Sequence, residues 1–125
     1  MSTRHARSAE PLDPIRWSAI ATRERHSRAI VKTADMELSC LSFEAGERMP
    51  REGSMAFDGP CVLHCLAGDV VLRLPGESDE RHEGETPLRA GQLLWLDAHV
   101  EHALEAGEEA IVLWTLVARC PAENA

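Results

Sequence analysis

Tyrosine is absent from this chain, and three Trp and two Phe are its whole aromatic complement. Stacking recognition of sugars or bases needs more aromatic faces than that, so this mode of binding is not expected. Cations are scarce too, with 13 Lys and Arg against 21 Asp and Glu and a formal charge of −8. A phosphate backbone is gripped by a stripe of Lys and Arg, and none occurs here, so nucleic acid is not an expected partner. The one basic cluster, Arg4, His5 and Arg7, falls in a polar N-terminal stretch expected to be mobile. No apolar run approaches the ~20 residues of a membrane span, and no apolar segment of the secretory kind follows the N-terminal charge. The expected setting is therefore cytoplasmic, without membrane contact. Nor is there a C-x-x-C pair among Cys40, Cys61, Cys65 and Cys120. A zinc ribbon or thioredoxin-like site lacks support, and the cysteines are expected as reduced thiols.

What the sequence does have is apolar residues (44%) in short runs, with Gly and Pro spaced between them over 125 residues. That is the pattern of one domain built from many short strands. The expected organisation is an N-terminal arm over 1–14, a single domain over 15–120 and a tail over 121–125. The organising stretch is 90–117. Strands are expected at Leu93–Leu96, His102–Glu105 and Ala110–Val117, parted by turn signals at Ala90-Gly91, Asp97-Ala98 and Ala106-Gly107. In the last strand Ile111, Leu113 and Thr115 point one way, and Val112, Trp114 and Leu116 the other. A strand apolar on both faces is covered on both faces. His102 is expected at the rim of the core that one of these faces fills.

Upstream, Asp13-Pro14 suits the start of a helical turn, while Ile15, Trp17 and Ile20 equally suit a strand; both alternatives stay open. Arg28–Thr33 and Met36–Glu44 read as a hairpin around Ala34-Asp35. In its second strand Met36, Leu38 and Cys40 alternate with Glu37 and Ser39, which predicts a half-buried strand with the former set inside. Residues 47–60 carry Pro50, Gly53, Gly59 and Pro60 and read as a long loop, the kind that more often carries function. Cys61–Leu66 and Asp69–Leu74 are strands joined at Ala67-Gly68, and 75–84 is a solvated hairpin loop. Cys61 and Cys65 share a strand face, but four residues at ~3.3 Å each put them roughly 13 Å apart. They cannot form a disulfide or share an ion; His64 between them faces the other way.

Gly91 and His102, with Asp97, His99 and Ala106 between and after them, resemble the second motif of the cupins, G-x5-P-x-G-x2-H-x3-N. Gly46 and Gly68, with the strand-turn-strand of Val62–Leu74, resemble the ends of the first, G-x5-H-x-H-x3,4-E-x6-G. The resemblance covers roughly 36–117. It implies an all-β fold, a double-stranded β-helix or cupin-type jelly-roll barrel, and a homodimer that covers the outer apolar face. It also implies where a metal would bind, through two His and one Glu of the first motif and one His of the second. Counting forward from Gly46 puts Glu52, Ser54 and Asp58 at the first three places. Counting back from Gly68 puts Cys61 at the Glu place, with Met55 and Phe57, or Ser54 and Ala56, at the His places. Neither count yields an imidazole, so His102 alone remains and no metal site or other cofactor is expected.

Two functions follow from different classes. The first is a non-catalytic small-molecule-binding or sensor barrel, with His102, Cys61, Glu52, Met49 and Leu63 as ligand-binding residues and no catalytic residue. The second is a metal-dependent enzyme of oxygenase or isomerase type, holding one divalent transition metal at His102 with Cys61, Glu52 or Asp58. Met49, Met55 and Phe57 line the opening or close it as an apolar lid, His99 is a loop residue, and a nucleophilic Cys61 would need His102 as its base. A third possibility, a purely structural dimerisation module, would enclose no pocket.

Overall fold

In the computed structural model, residues 3–4, 7–16, 27–74 and 84–117 are described. Their strands run in the order β1 (Thr3–Arg4), β2 (Ser27–Lys32), β3 (Met36–Phe43), β4 (Arg48–Met49), β5 (Cys61–Ala67), β6 (Asp69–Arg73), β7 (Glu85–Arg89), β8 (Leu93–Leu96), β9 (Ala103–Ala106) and β10 (Ala110–Val117). Two antiparallel sheets form, one ordered β1-β2-β3-β10-β5-β8 and the other β4-β9-β6-β7. The fold is all-β, as the spacing of strands and turns predicts. Among the described residues no helix is long and apolar enough to cross a membrane. The only helix among them is one turn at 14–16. Asp13 starts it, its Oδ1 accepting from the amides of Ile15 and Arg16 at 3.0 and 3.3 Å, a cap that satisfies otherwise orphaned donors. The helical alternative therefore holds at 14–16. Trp17 and Ile20 lie outside the described residues, as do the loop over 75–83, Cys120 and the C-terminal tail.

The core lies between the sheets. Leu41 and Phe43 of β3, Val112 and Trp114 of β10, Cys61, Leu63 and Cys65 of β5 and Leu96 of β8 pack against Val70 and Leu72 of β6, Leu88 of β7 and Leu104 of β9. β10 is the central strand, paired with β3 on one side and β5 on the other. Its inward set is Ala110, Val112, Trp114 and Leu116, the split read from the sequence.

β3 corrects the sequence reading. Leu41 sits opposite Val112, Ser39 opposite Trp114 and Glu37 opposite Leu116. Directly opposed residues share a sheet face, so Glu37, Ser39, Leu41 and Phe43 face inward and Met36, Leu38 and Cys40 face outward. The outward set is apolar because this face is covered as well, with Cys40 fully buried. Alternation assigned the faces backwards because the inner wall holds the polar residues. β7 was not anticipated either. Its Pro87 argues against a strand, yet it sits opposite Val71 on an edge strand, where a missing N–H breaks no ladder.

The turns obey local chemistry. Thr33 Oγ1 accepts from the amides of Asp35 and Met36 at 3.2 and 3.3 Å, closing the β2–β3 hairpin. Gly68, with φ +74°, joins β5 to β6. A Cβ there would lie 2.0 Å from the Glu109 carbonyl oxygen, so only glycine lets the two turns approach. On the small sheet, Arg73 Nε donates to Glu105 Oε1 at 2.7 Å, and its Nη1 binds Glu85 Oε2.

Candidate functional site

The loop expected over 47–60 is shorter than it reads, because Arg48–Met49 pairs with β9 as β4. The remainder is tied to the segment just before β9. The Met55 amide donates to the His102 carbonyl at 2.8 Å, the His102 amide donates back at 2.9 Å, and the His99 amide donates to the Phe57 carbonyl at 2.8 Å. The Ser54 hydroxyl donates to Glu101 Oε1 at 2.5 Å. His99 itself is exposed, with φ +67°.

These bonds carry His102 into the core instead of leaving it at the rim. Its residue exposure is 1%. Nδ1–H donates to the Val100 carbonyl oxygen at 2.9 Å; in the neutral ring this leaves Nε2 as a bare acceptor. Nε2 is buried and has no hydrogen-bond partner. Beside the imidazole stands Phe57, ring centroids 5.9 Å apart, and Phe57 in turn packs on Trp114 at 4.9 Å. Trp114 is 8% exposed, and its indole Nε1–H is a second buried polar atom, with no acceptor but the weak Cys61 sulfur. A buried acceptor with no partner and a buried donor with only a sulfur beside it thus lie among largely apolar core residues.

Of the residues singled out in sequence, Leu63 (0% exposed) and Cys61 lie on the inner wall of β5, and Met49 packs at the margin of the core. Glu52 and Asp58 lie exposed on the loop. Of the residues in the backward count from Gly68, Cys61 is buried and Phe57 packs on the core, while Ser54 and Met55 are half-buried and Ala56 is exposed. Burial pushes the Cys61 thiol up, and the nearby Trp114 indole N–H pulls part of the way back. Burial also raises the Cys65 thiol, opposed by a backbone hydrogen bond at Ala67 and reinforced by the charge of Asp69. Both thiols stay protonated at neutral pH, which is poor provision for a nucleophile.

Sequence reasoning missed Glu37 and Ser39. The Ser39 hydroxyl, 1% exposed, donates to Glu37 Oε2 at 2.9 Å. Glu37 Oε1 stands 3.9 Å from Lys32 Nζ, and the Glu37 side chain is 24% exposed. The signal that marks them is a polar pair set among apolar neighbours in a strand otherwise covered on both faces.

The groups around His102 do not fit a metal ion. Among the described residues no three of His, Cys, Asp and Glu come together in an arrangement able to hold one. One imidazole, a thiol held protonated by burial and a phenyl ring make no centre of three protein ligands.

No family profile matches the sequence, and no curated protein's sequence is similar to it. Solved structures are. A cupin superfamily protein from Desulfitobacterium hafniense is 21% identical, with a TM-score of 0.70 over 93% of this chain and 97% of that one. An RmlC-like cupin from Shewanella frigidimarina is 17% identical, with a TM-score of 0.59 over 77% and 78%. A conserved protein of unknown function from Streptococcus pyogenes is 21% identical, with a TM-score of 0.68 over 94% of each chain. What is shared at such identities is the fold.

Proposed function

We propose that this chain, which has the cupin fold, holds a small and largely apolar molecule inside its barrel, as a binding or sensor protein. The observation that carries this reading is a pair of buried ring nitrogens, His102 Nε2 with no partner and Trp114 Nε1 with only the weak Cys61 sulfur beside it. Each unmade buried hydrogen bond costs about 1–3 kcal/mol. Such a cost is tolerated where a ligand completes the bond. A hydroxyl group does both, donating to an imidazole acceptor and accepting from an indole N–H. Leu63, Leu94 and Phe57 offer the apolar surroundings. The test is a titration of the 15N-labelled protein with butan-1-ol, reading the Trp114 indole resonance assigned by Trp114→Phe. A saturable shift is expected; an indole signal indifferent to the alcohol overturns the reading.

A second reading, a metal-dependent enzyme at His102, is favoured by one feature. Anchoring Nδ1–H on a backbone carbonyl is how ligating histidines are oriented. Elemental analysis separates the two. About one equivalent of Fe, Ni, Mn or Zn that disappears in His102→Ala would replace the first reading by the second. A homodimer belongs to the proposal as well. Leu93 and Trp95 stand exposed on the outward side of β8, and Trp95 is held in place by its Nε1–H donating to Asp97 Oδ1 at 2.9 Å. A rigid exposed indole beside a leucine suits the centre of an interface. Sedimentation of the wild type as a dimer and of Trp95→Ala as a monomer is the expected pair of results.

A further inference from the structure

The inner wall of the large sheet has a polar pair of its own, Glu37 and Ser39 on β3. In register across β3, β10 and β5, one row reads Glu37, Leu116, Cys61, and the next reads Ser39, Trp114, Leu63. The β2 partner of Glu37 is Lys32. Ser39 is thus directly opposite the tryptophan whose indole N–H has only the Cys61 sulfur beside it, and Glu37 is the next inward residue along the strand. A carboxylate facing an apolar interior costs free energy unless charge or hydrogen bonds compensate it. Ser39 compensates Oε2 at 2.9 Å, but Lys32 Nζ at 3.9 Å from Oε1 lies beyond hydrogen-bond reach. Oε1 thus has an ion pair but no hydrogen bond, and an incoming donor would supply one.

We infer that Glu37, oriented by Ser39, is the specificity determinant of the interior, selecting ligands whose head group donates hydrogen bonds and carries no negative charge. This rests on the reading of the barrel as a small-molecule binder and names its ligand class: apolar molecules ending in an alcohol or an amine, with carboxylates rejected. The acceptors are Glu37 Oε1 on β3 and His102 Nε2 just before β9, and the donor is Trp114 Nε1–H. A hydroxyl satisfies an acceptor and the donor together, and an ammonium adds charge attraction to Glu37. A carboxylate brings acceptors only, and its charge is repelled by Glu37.

The experiment uses three probes with one apolar body, butan-1-ol, butylamine and butyrate, followed at the Trp114 indole resonance of the full chain. Wild type is expected to bind the amine and the alcohol at least tenfold more tightly than butyrate. Glu37→Gln keeps the shape, removes the charge and is expected to bring the amine and butyrate within about threefold of each other. Ser39→Ala, which frees the carboxylate from its orientation, is expected to weaken amine binding about threefold or more and serves if Glu37→Gln does not fold. Butyrate binding as well as the amine in wild type, or an unchanged ratio in Glu37→Gln, overturns the inference and leaves the binding barrel standing. If none of the three probes moves the indole resonance, both fall together.

Discussion

Phe57 rests on Trp114 with ring centroids 4.9 Å apart and planes inclined at 52°. The tilted contact joins the irregular segment after β4 to the central strand of the large sheet, and the same phenyl lies 5.9 Å from the His102 ring. A ring so placed packs against both the histidine and the tryptophan. Phe57→Ala is expected to destabilise by about 2–4 kcal/mol, since deleting a packed ring leaves a cavity. Phe57→Leu should cost less than about 1.5 kcal/mol. Urea unfolding of both variants measures this, and equal, negligible costs would mean that the ring is not packed.

His102 offers a sharper comparison. His102→Leu removes the unmet Nε2 and loses the bond to Val100, two effects of opposite sign and of about 1 kcal/mol each. The stability change should therefore stay within about 1 kcal/mol. His102→Ala empties the site and should cost about 2–4 kcal/mol, the usual range for large-to-small changes in a core. Denaturant midpoints at one pH, with the slopes checked for constancy, decide between these outcomes.

Gly68 and Gly46 both have positive φ but differ in surroundings. A Cβ at Gly68 meets the Glu109 carbonyl at 2.0 Å, whereas at Gly46 it meets nothing within 4 Å. Gly46→Ala should cost only the left-handed conformation, about 1–2 kcal/mol. Gly68→Ala should cost more than that, because backbone must move, and reduced soluble yield or a fall in Tm at least twice that of Gly46→Ala is the expected result.

The thiols set the alkaline limit. Burial raises Cys61 and Cys65 above the ordinary 9.0. The folded state then holds their protons to higher pH than the unfolded chain does. Their contribution to stability is present in full below pH 9.0 and is lost as pH rises from there through the folded pKa values. Unfolding followed from pH 7 to 10.5 should show this decline, and the double change Cys61→Ala, Cys65→Ala should flatten it. The same protonation predicts slow labelling by iodoacetamide in the folded state at pH 8 and fast labelling in urea.

How much was legible in the sequence depended on whether polarity followed burial. Along β10 the inward and outward sets are both apolar and simply alternate, so the faces could be separated without knowing which was which. At Gly68 and Gly91 a turn demands a conformation that few residues but glycine adopt, and the sequence signals it. β3 defeated the same logic because Glu37 and Ser39 stand on the inside while Met36, Leu38 and Cys40 are covered from without. His102 was recognisable as a distinctive residue, but its depth was not, because the bonds that draw it inward come from Met55 and Phe57, some 45 positions earlier in the chain. Pro87 concealed β7, since a proline is acceptable in an edge strand and the pairing alone reveals which edge that is.

The lacing of 54–57 onto 99–102 couples two stretches that lie far apart in the sequence. Lifting the stretch that bears Phe57 breaks the amide exchange between Met55 and His102 in the same movement. The 54–57 stretch and the segment that bears His102 are therefore expected to move together. A substitution that loosens either segment is expected to loosen the other as well.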